Sequence, residues 1–159
     1  MPLATSLSDL PDLETTLSMS GLDFMQAIRT GDLPEPAMWG TAQCHLENAD
    51  AGKVVIRAAP QFQHTNPAGA VHGGWYGTLL DTCMSCAVMT VTPKGSIYTT
   101  LEYKVNLLAA IPVGAAVLAT GTIAHSGRST GVALGEIRDA ETGKLYATGS
   151  ATCLIMKLR

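Results

Sequence analysis

The chain has little charge and no concentration of positive charge. Asp, Glu, Lys and Arg supply only 14% of its 159 residues, hydrophobic residues supply 47%, and the formal net charge is −3. Without a basic excess or a Lys/Arg cluster, nucleic acid is excluded as the expected partner, and a small molecule is favoured. So apolar a composition is unusual for a soluble monomer of this size, and burial in an oligomer would explain it.

The sequence also has no continuous membrane span and no secretory pattern. The uncharged stretch 107–124 is interrupted by Pro112 and Gly114, which favour a turn between two strands. No basic residue precedes Arg29, so we expect no secretory leader and a cytoplasmic location. No repeat or linker divides the chain. We predict a flexible arm of residues 1–19 and a single domain of residues 20–159.

The four cysteines do not form a convincing metal or redox motif. Cys83 and Cys86 have the C-x-x-C spacing of such motifs, but neither a second pair nor a matching histidine pair accompanies them. Cys44 and Cys153 stand alone. We interpret all four as small buried core residues in a reducing environment, and we predict no metal site.

Hydrophobic periodicity and turn residues predict the order of elements. Ser20 and Gly31 have the properties of a helix cap and a helix stop around a short amphipathic helix, and prolines then indicate an extended connection. An apolar helix running to about residue 90 separates two strands from four. The order β-β-α-β-β-β-β predicts an α+β fold with one antiparallel sheet wrapped around a single helix. The predicted strands are 41–46, 54–59, 97–107, 115–125, 130–138 and 145–156.

Asp81 is the only ionisable side chain between Gly73 and Val91. The residues three and four positions away offer it no charged partner within the helix. Burying a carboxylate costs several kcal/mol, on the order of 3 to 5, when nothing satisfies it. Asp81 is therefore either a structural carboxylate satisfied by a distant group or a residue that does chemistry.

The segment around Asp81 resembles a known family. It contains N-x-x-G-x-x-H-G-G followed by L-x-D, and the similarity extends from about Leu22 to Met156. This pattern resembles the hotdog-fold acyl-CoA thioesterases of the PaaI-like (phenylacetate-pathway) type, which are related to 4-hydroxybenzoyl-CoA thioesterases. The resemblance implies a homodimer or homotetramer that hydrolyses acyl-CoA at its subunit interfaces. It implies no cofactor, because CoA is part of the substrate. The matching residues are Asn66, Gly69, His72, Gly73, Gly74, Leu80 and Asp81.

Helix geometry gives an independent reason for an interface site. A helix that begins near Gly73 could polarise a thioester carbonyl with its free N–H groups and the positive end of its dipole. Asp81 lies ~12 Å further along the axis at ~1.5 Å per residue, too far to reach the same carbon. One site would then combine Gly73 of one chain with Asp81 of another, as in a twofold dimer with antiparallel helices.

The resemblance implies catalytic roles, each with a structural alternative. Gly73 and Asn66 would hold the carbonyl oxygen, although Asn66 could only start a turn before Pro67. Asp81 would act as general base or as nucleophile. Thr100 would orient the water, or would be an ordinary strand residue. His72 would be catalytic, or would cap the helix and orient the loop.

Substrate-binding roles are predicted for five further positions. Gly74 would bind substrate, or, like Gly73, would be needed only for close approach of the backbone, which binding of the carbonyl oxygen also requires. Arg128, with Ser129 in the same turn, would hold a CoA phosphate, or would be solvated. Trp75 and Tyr76 would line an acyl pocket, or would belong to the core or an interface.

Two departures from the family pattern and two other functions are left open. Trp75 replaces a smaller or aliphatic residue, and 108–110 reads Leu-Ala-Ala where many relatives carry Arg-Pro. A non-catalytic hotdog module that binds acyl-CoA is the main alternative function, and a hotdog dehydratase is another. Asp81→Asn would abolish the function of a thioesterase but not that of a binding module.

Overall fold

The computed structural model describes residues 2–158, which form four α-helices and six β-strands. Two short 3-10 turns also occur, at Leu7–Asp9 and Phe62–His64. The helices are α1 (Leu13–Ser18), α2 (Gly21–Thr30), α3 (Ala37–Ala42) and α4 (Gly73–Thr90). The strands are β1 (Cys44–Asp50), β2 (Lys53–Ala58), β3 (Ser96–Leu107), β4 (Val117–Ser126), β5 (Thr130–Asp139) and β6 (Leu145–Lys157).

The strands form one antiparallel sheet in the order β1-β2-β4-β5-β6-β3, and α4 lies against it. All six strands contact α4, and most of its side chains are buried, as an apolar helix requires. The predicted fold class and element order are confirmed. β1 and β3 are the two edges of the sheet, and this position of β3 becomes important for the site.

Glycines in the strands allow α4 to approach the sheet closely. A Cβ on Gly121 would lie 2.0 Å from the carbonyl oxygen of Cys83, which is helix backbone. A Cβ on Gly131 would lie 2.6 Å from Cγ1 of Val88. These glycines are therefore required by packing, and they fix the height of α4 above the sheet.

The predicted helix after residue 19 is confirmed as α2. The Ser20 side chain accepts a hydrogen bond from the Asp23 N–H, and Gly31 ends the helix with φ of 86°. Residues 2–19 contain α1, and the Ala4 N–H donates to the Glu35 carbonyl at 2.8 Å. The flexibility of the arm and a domain boundary at residue 20 stay predictions. Met1 and Arg159 lie outside the described residues.

The predicted extended connection before β1 is wrong. Residues 37–42 form α3, which starts after Pro36 with φ of −60° and buries Trp39 and Ala42. A proline at a helix start loses no helical hydrogen bond, and its φ already suits a helix. Gln43 then turns the chain with φ of 52°, so the strand begins at residue 44 instead of 41.

The uncharged stretch 107–124 is not a helix. β3 ends at Leu107 and Gly114 takes φ of 84° in the connecting turn, so the predicted turn between two strands is confirmed. β4 begins at Val117, two residues later than predicted. Within the described chain, no helix combines the length and apolarity needed to cross a membrane.

Candidate active site

His72 caps α4 and leaves one particular amide free. Its backbone is extended, and its Nδ1 accepts a hydrogen bond of 2.9 Å from the Gly74 N–H. The Trp75 N–H donates to the His72 carbonyl at 3.0 Å. Among residues 2–158, the Gly73 N–H finds no acceptor. A free amide at the positive end of a helix dipole is suited to bind a carbonyl oxygen that gains negative charge.

Asn66 uses one end of its side chain to shape the loop before α4. Its Oδ1 accepts hydrogen bonds from the N–H groups of Ala68 (2.9 Å) and Ala70 (3.2 Å). The Asn66 N–H donates to the Ala70 carbonyl at 2.8 Å. The Nδ2 group has no acceptor within the described chain. Asn66 can therefore hold its turn and still offer two N–H donors to a ligand.

Within the described part of the chain, Asp81 has a hydroxyl partner and no cation beside it. The Thr100 Oγ1 donates to its Oδ1 at 3.0 Å, and this is the one hydrogen bond that the carboxylate accepts from residues 2–158. It forms no ion pair with any described residue, and its side chain is half-buried. The carboxylate is thus available to react, which a carboxylate held in a salt bridge would not be.

A β-bulge turns Thr100 toward Asp81. The register of β3 against β6 shifts between Thr100 and Glu102. The Tyr103 side chain faces α4. In a regular strand, side chains alternate between the two faces of the sheet, so Leu101 would also face α4 and Thr100 would face away from it. The extra residue at the bulge reverses this alternation, so that Tyr103 and Thr100 face the helix together.

The free amide and the carboxylate lie on one face of α4, along a groove beside β3. Gly73, Gly77 and Asp81 follow one another at four-residue spacing, so they lie on one side of the helix. A Cβ on Gly73 would lie 3.3 Å from Leu107, and one on Gly77 would lie 3.4 Å from the Tyr103 hydroxyl. We call this the α4–β3 groove. It is lined by Gly73, Gly77, Asp81, Leu107, Tyr103 and Thr100.

The other ionisable groups near Asp81 stay protonated near neutral pH. Burial, with a smaller contribution from the Asp81 charge, raises the pKa of Cys86 to about 12. Burial also raises the pKa of the Tyr98 hydroxyl well above its usual value. Neither group can therefore supply a base beside Asp81. All four cysteines are buried and free, and no group of His, Cys, Asp and Glu within residues 2–158 could hold a metal ion.

Trp75 and Tyr76 are buried and hold the surrounding loops. The Trp75 Nε1–H donates to the Ala42 carbonyl at 2.9 Å, at the end of α3. The Tyr76 hydroxyl accepts from the Ile111 N–H at 2.8 Å and donates to the Ala109 carbonyl at 3.3 Å. Tyr76 thus holds the segment 108–110, which reads Leu-Ala-Ala where the family pattern has Arg-Pro. Trp75 also lines a cavity of about 320 Å³ beside His72, so a binding role for it stays a prediction.

Arg128 and Ser129 are exposed in the turn between β4 and β5, away from Gly73 and Gly74. The Ser129 carbonyl accepts from the Ile155 N–H at 2.9 Å. On β6, Ile155 lies two residues beyond the partner of Thr100, or about 7 Å along the strand at ~3.3 Å per residue. The turn is therefore beyond Asp81, on the side opposite to Gly73 of the same chain.

Sequence reasoning missed Gly77, Tyr103 and Leu107. The four-residue spacing of Gly77 from both Gly73 and Asp81 was the available signal for the first. The two side chains from β3 could not be placed in the groove without knowing the bulge and the edge position of the strand.

Comparison with known proteins identifies the fold family. Residues 68–146 match the model of the thioesterase superfamily. This segment is a thioesterase-superfamily domain. The mouse acyl-coenzyme A thioesterase 13 is 28% identical over 107 residues, which are 67% of this chain and 76% of that protein. The family and this relative support thioester hydrolysis as the general chemistry of the chain.

Solved structures of the thioesterase superfamily agree with the observed architecture. A phenylacetic acid degradation-related protein of Ralstonia eutropha JMP134 superposes with a TM-score of 0.75 at 27% identity, over 82% of this chain and 98% of that chain. A thioesterase protein of Streptococcus pneumoniae TIGR4, solved with coenzyme A, has a TM-score of 0.66 at 26% identity, over 73% and 88% of the two chains. The prediction of a PaaI-like hotdog thioesterase is confirmed.

Proposed function

We propose that the protein hydrolyses acyl-CoA thioesters to a free acid and CoA at sites shared between two subunits. The observation that carries the proposal is the α4–β3 groove, where, among residues 2–158, a helix-start amide has no acceptor and a carboxylate has no cation beside it. Gly73 and Asp81 are eight residues apart on α4, or ~12 Å at ~1.5 Å per residue. Since the two groups of one chain cannot reach the same carbon, a second copy has to complete the site.

The edge strand β3 supports a twofold dimer. It is twelve residues long, it lies at the edge of the sheet, and Leu101 and Leu107 are 59% and 50% exposed. A long edge strand with exposed apolar side chains promotes pairing with another chain. Antiparallel pairing of β3 with its copy would cover these side chains and bring the two α4 helices side by side. A homotetramer of two such dimers would contain the same sites.

The groove residues divide the reaction between the two chains. The Gly73 N–H and the Asn66 Nδ2 donate to the carbonyl oxygen and stabilise the negative charge that develops on it. Asp81 of the opposing subunit, held by its own Thr100, then deprotonates a water that attacks the carbonyl carbon. The alternative route is attack by the carboxylate itself, giving an anhydride that water hydrolyses. Either route expels the CoA thiolate and needs no cofactor.

The position of Arg128 supports a role in holding CoA. Its turn lies beyond Asp81 along the sheet, on the outer side of the shared site, and Arg128 forms no ion pair within residues 2–158. A guanidinium there could bind a CoA phosphate through charge-assisted hydrogen bonds. The phosphates would then stay at the protein surface while the acyl end enters the groove.

Release of CoA thiol from a panel of aryl and aliphatic acyl-CoAs, followed with a chromogenic thiol reagent, tests the proposal. We expect Asp81→Asn to lose activity by about a hundredfold or more, since general bases contribute on that order. Asp32→Asn is the matched control, because Asp32 also accepts a hydrogen bond from a threonine hydroxyl but is exposed and remote from the groove. It should keep native activity.

Two outcomes would contradict thioester hydrolysis. One is the absence of turnover on every acyl-CoA tested. The other is turnover that Asp81→Asn leaves unchanged in a folded protein. Acyl-CoA binding without turnover would favour the non-catalytic binding module instead.

A further inference from the structure

Tyr103 occupies the middle of the α4–β3 groove. It lies on β3 between Leu107, which covers Gly73, and Thr100, which binds Asp81. Its ring and hydroxyl rest against Gly77, where an added Cβ would lie 3.4 Å from the hydroxyl oxygen and 3.5 Å from Cε2. The side chain is 47% exposed, and its hydroxyl has no hydrogen-bond partner within the described chain. About half of a large side chain, including a hydroxyl without a partner, is thus available to contact a ligand.

The proposed dimer places Tyr103 between the two active sites. Gly77 is four residues from both Gly73 and Asp81, or ~6 Å from each at ~1.5 Å per residue. When Gly73 of one chain faces Asp81 of the other, the midpoint Gly77 lies at the twofold axis. Tyr103 rests on Gly77, so the two copies of Tyr103 meet near that axis and separate one site from the other.

The substrate has to enter this arrangement with its acyl group pointing inward. The phosphates of CoA are charged and remain in contact with water, which requires the outer side of the site, where Arg128 lies. The acyl group then extends from the reacting carbon toward the axis, along the groove. We propose that Tyr103 forms the closed end of the acyl subsite and limits the length of the acyl group, an inference that rests on the proposed thioesterase function.

The geometry sets the approximate length of this subsite. The ~6 Å between the reacting carbon and the axis holds about five bonds of an extended chain, at roughly 1.2 Å per bond. Saturated acyl groups up to about hexanoyl should therefore fit, and longer ones should meet the Tyr103 ring. Gly77 should enlarge the subsite, because its missing side chain leaves room for the acyl group beside the Tyr103 ring.

Chain-length profiles of variants at these two positions test the proposal. Initial rates give kcat/KM for a ladder of saturated substrates from acetyl-CoA to palmitoyl-CoA. Tyr103→Ala should raise the ratio of dodecanoyl-CoA to hexanoyl-CoA activity about tenfold or more, a typical discrimination for added methylenes in an apolar pocket. Gly77→Ala should lower the longest accepted chain. Tyr103→Phe, which keeps the ring, should leave the ratio within about twofold.

Leu101→Ala is the matched control. Leu101 is 59% exposed on the same edge strand and would be covered by the same dimer, but it does not contact Gly77. If the substitutions act only by weakening strand pairing, Leu101→Ala and Tyr103→Ala should lower kcat/KM alike for all substrates. The preferred acyl-chain length would then be unchanged in both variants. An unchanged ratio in Tyr103→Ala would overturn the proposal. If that variant does not fold, an unchanged profile in Gly77→Ala would overturn it.

A binding measurement separates this inference from the proposed function. Calorimetric titration of hexanoyl-CoA and dodecanoyl-CoA into the Asp81→Asn protein reports the subsite without any hydrolysis. Adding Tyr103→Ala to Asp81→Asn should tighten dodecanoyl-CoA binding about tenfold relative to hexanoyl-CoA. This shift would support the acyl subsite even if the native protein hydrolysed nothing. Equal changes for both ligands would overturn it.

Discussion

Replacing Thr100 by valine tests how Asp81 is positioned. The Thr100 hydroxyl gives the carboxylate the one hydrogen bond that it accepts from residues 2–158, at 3.0 Å. Valine has nearly the same shape and β-branching, so the strand should be retained while the hydroxyl is lost. The variant therefore removes the hydrogen bond to Asp81, and with it a weak one of 3.9 Å that the hydroxyl accepts from the Cys153 thiol. It leaves both Asp81 and the backbone of the bulge in place.

The expected loss follows from the strength of that bond. A hydrogen bond to a charged group contributes about 1.5–3 kcal/mol. Each 1.36 kcal/mol of transition-state stabilisation corresponds to about tenfold in rate, so kcat should fall about tenfold to a hundredfold. The value should lie toward the lower limit, because Asp81 is only half-buried and water can partly replace the hydroxyl. KM should change little, because Thr100 contacts the carboxylate and not the carbonyl oxygen.

Steady-state kinetics on the best acyl-CoA, with urea unfolding of each variant, would measure this effect. Thr100→Ser is the matched control, because it keeps the hydroxyl and should retain most of the native kcat. A valine variant that is folded and has native kcat would refute the positioning role. A serine variant as impaired as the valine variant would refute it too, since the methyl group would then be the part that matters.

Two further predictions concern stability. Gly121→Ala should lower the free energy of unfolding by about 1–3 kcal/mol or more, because its methyl group would meet the helix backbone at 2.0 Å. Gly135→Ala should cost less in the same urea titration, because it meets flexible Met84 and Leu80 side chains, and equal losses would contradict this account. The N–H groups of Thr142 and then Glu141 lower the pKa of Asp139 from 3.8 to about 2. Its stabilisation is therefore present above about pH 4 and lost as the pH falls toward 2, so Asp139→Ala should flatten the unfolding free energy over that range.

Much of the fold could be predicted from local sequence. The apolar run after Gly73, with one ionisable residue, predicted the buried helix, and the turn residues predicted the succession of strands along the chain. Ser20 and Gly31 marked α2 because a side-chain cap and a left-handed glycine act within one turn of chain. α3 was missed because Pro36 both ends extended segments and begins helices. The burial of Trp39 favours the helix over the extended segment. Burial depends on packing against distant parts of the chain, which local sequence does not specify.

The candidate site was predictable in its polar groups and not in its shape. Asn66, Gly73 and Asp81 belong to a motif in which short-range geometry is encoded in the spacing. Thr100 could not be placed with certainty because strict alternation puts it on the face opposite to Tyr103. The bulge that changes this depends on pairing with β6, far away in sequence. The twofold contact needed to complete the site likewise depends on a second chain.

Rescue of activity in mixed dimers tests the shared site most directly. Asn66→Asp removes the Nδ2 donor and keeps the Oδ1 that holds the loop, while Asp81→Asn removes the base or nucleophile. Each variant alone should be nearly inactive. The two would be co-expressed with different affinity tags, and the mixed dimer would be isolated through both tags.

The mixed dimer should have about half of the native activity, because one of its two sites combines an intact Asn66 and Gly73 with an intact Asp81. The other site carries both substitutions. Sites built within a single chain would leave no intact site in the mixed dimer, so an inactive mixed dimer would contradict the account.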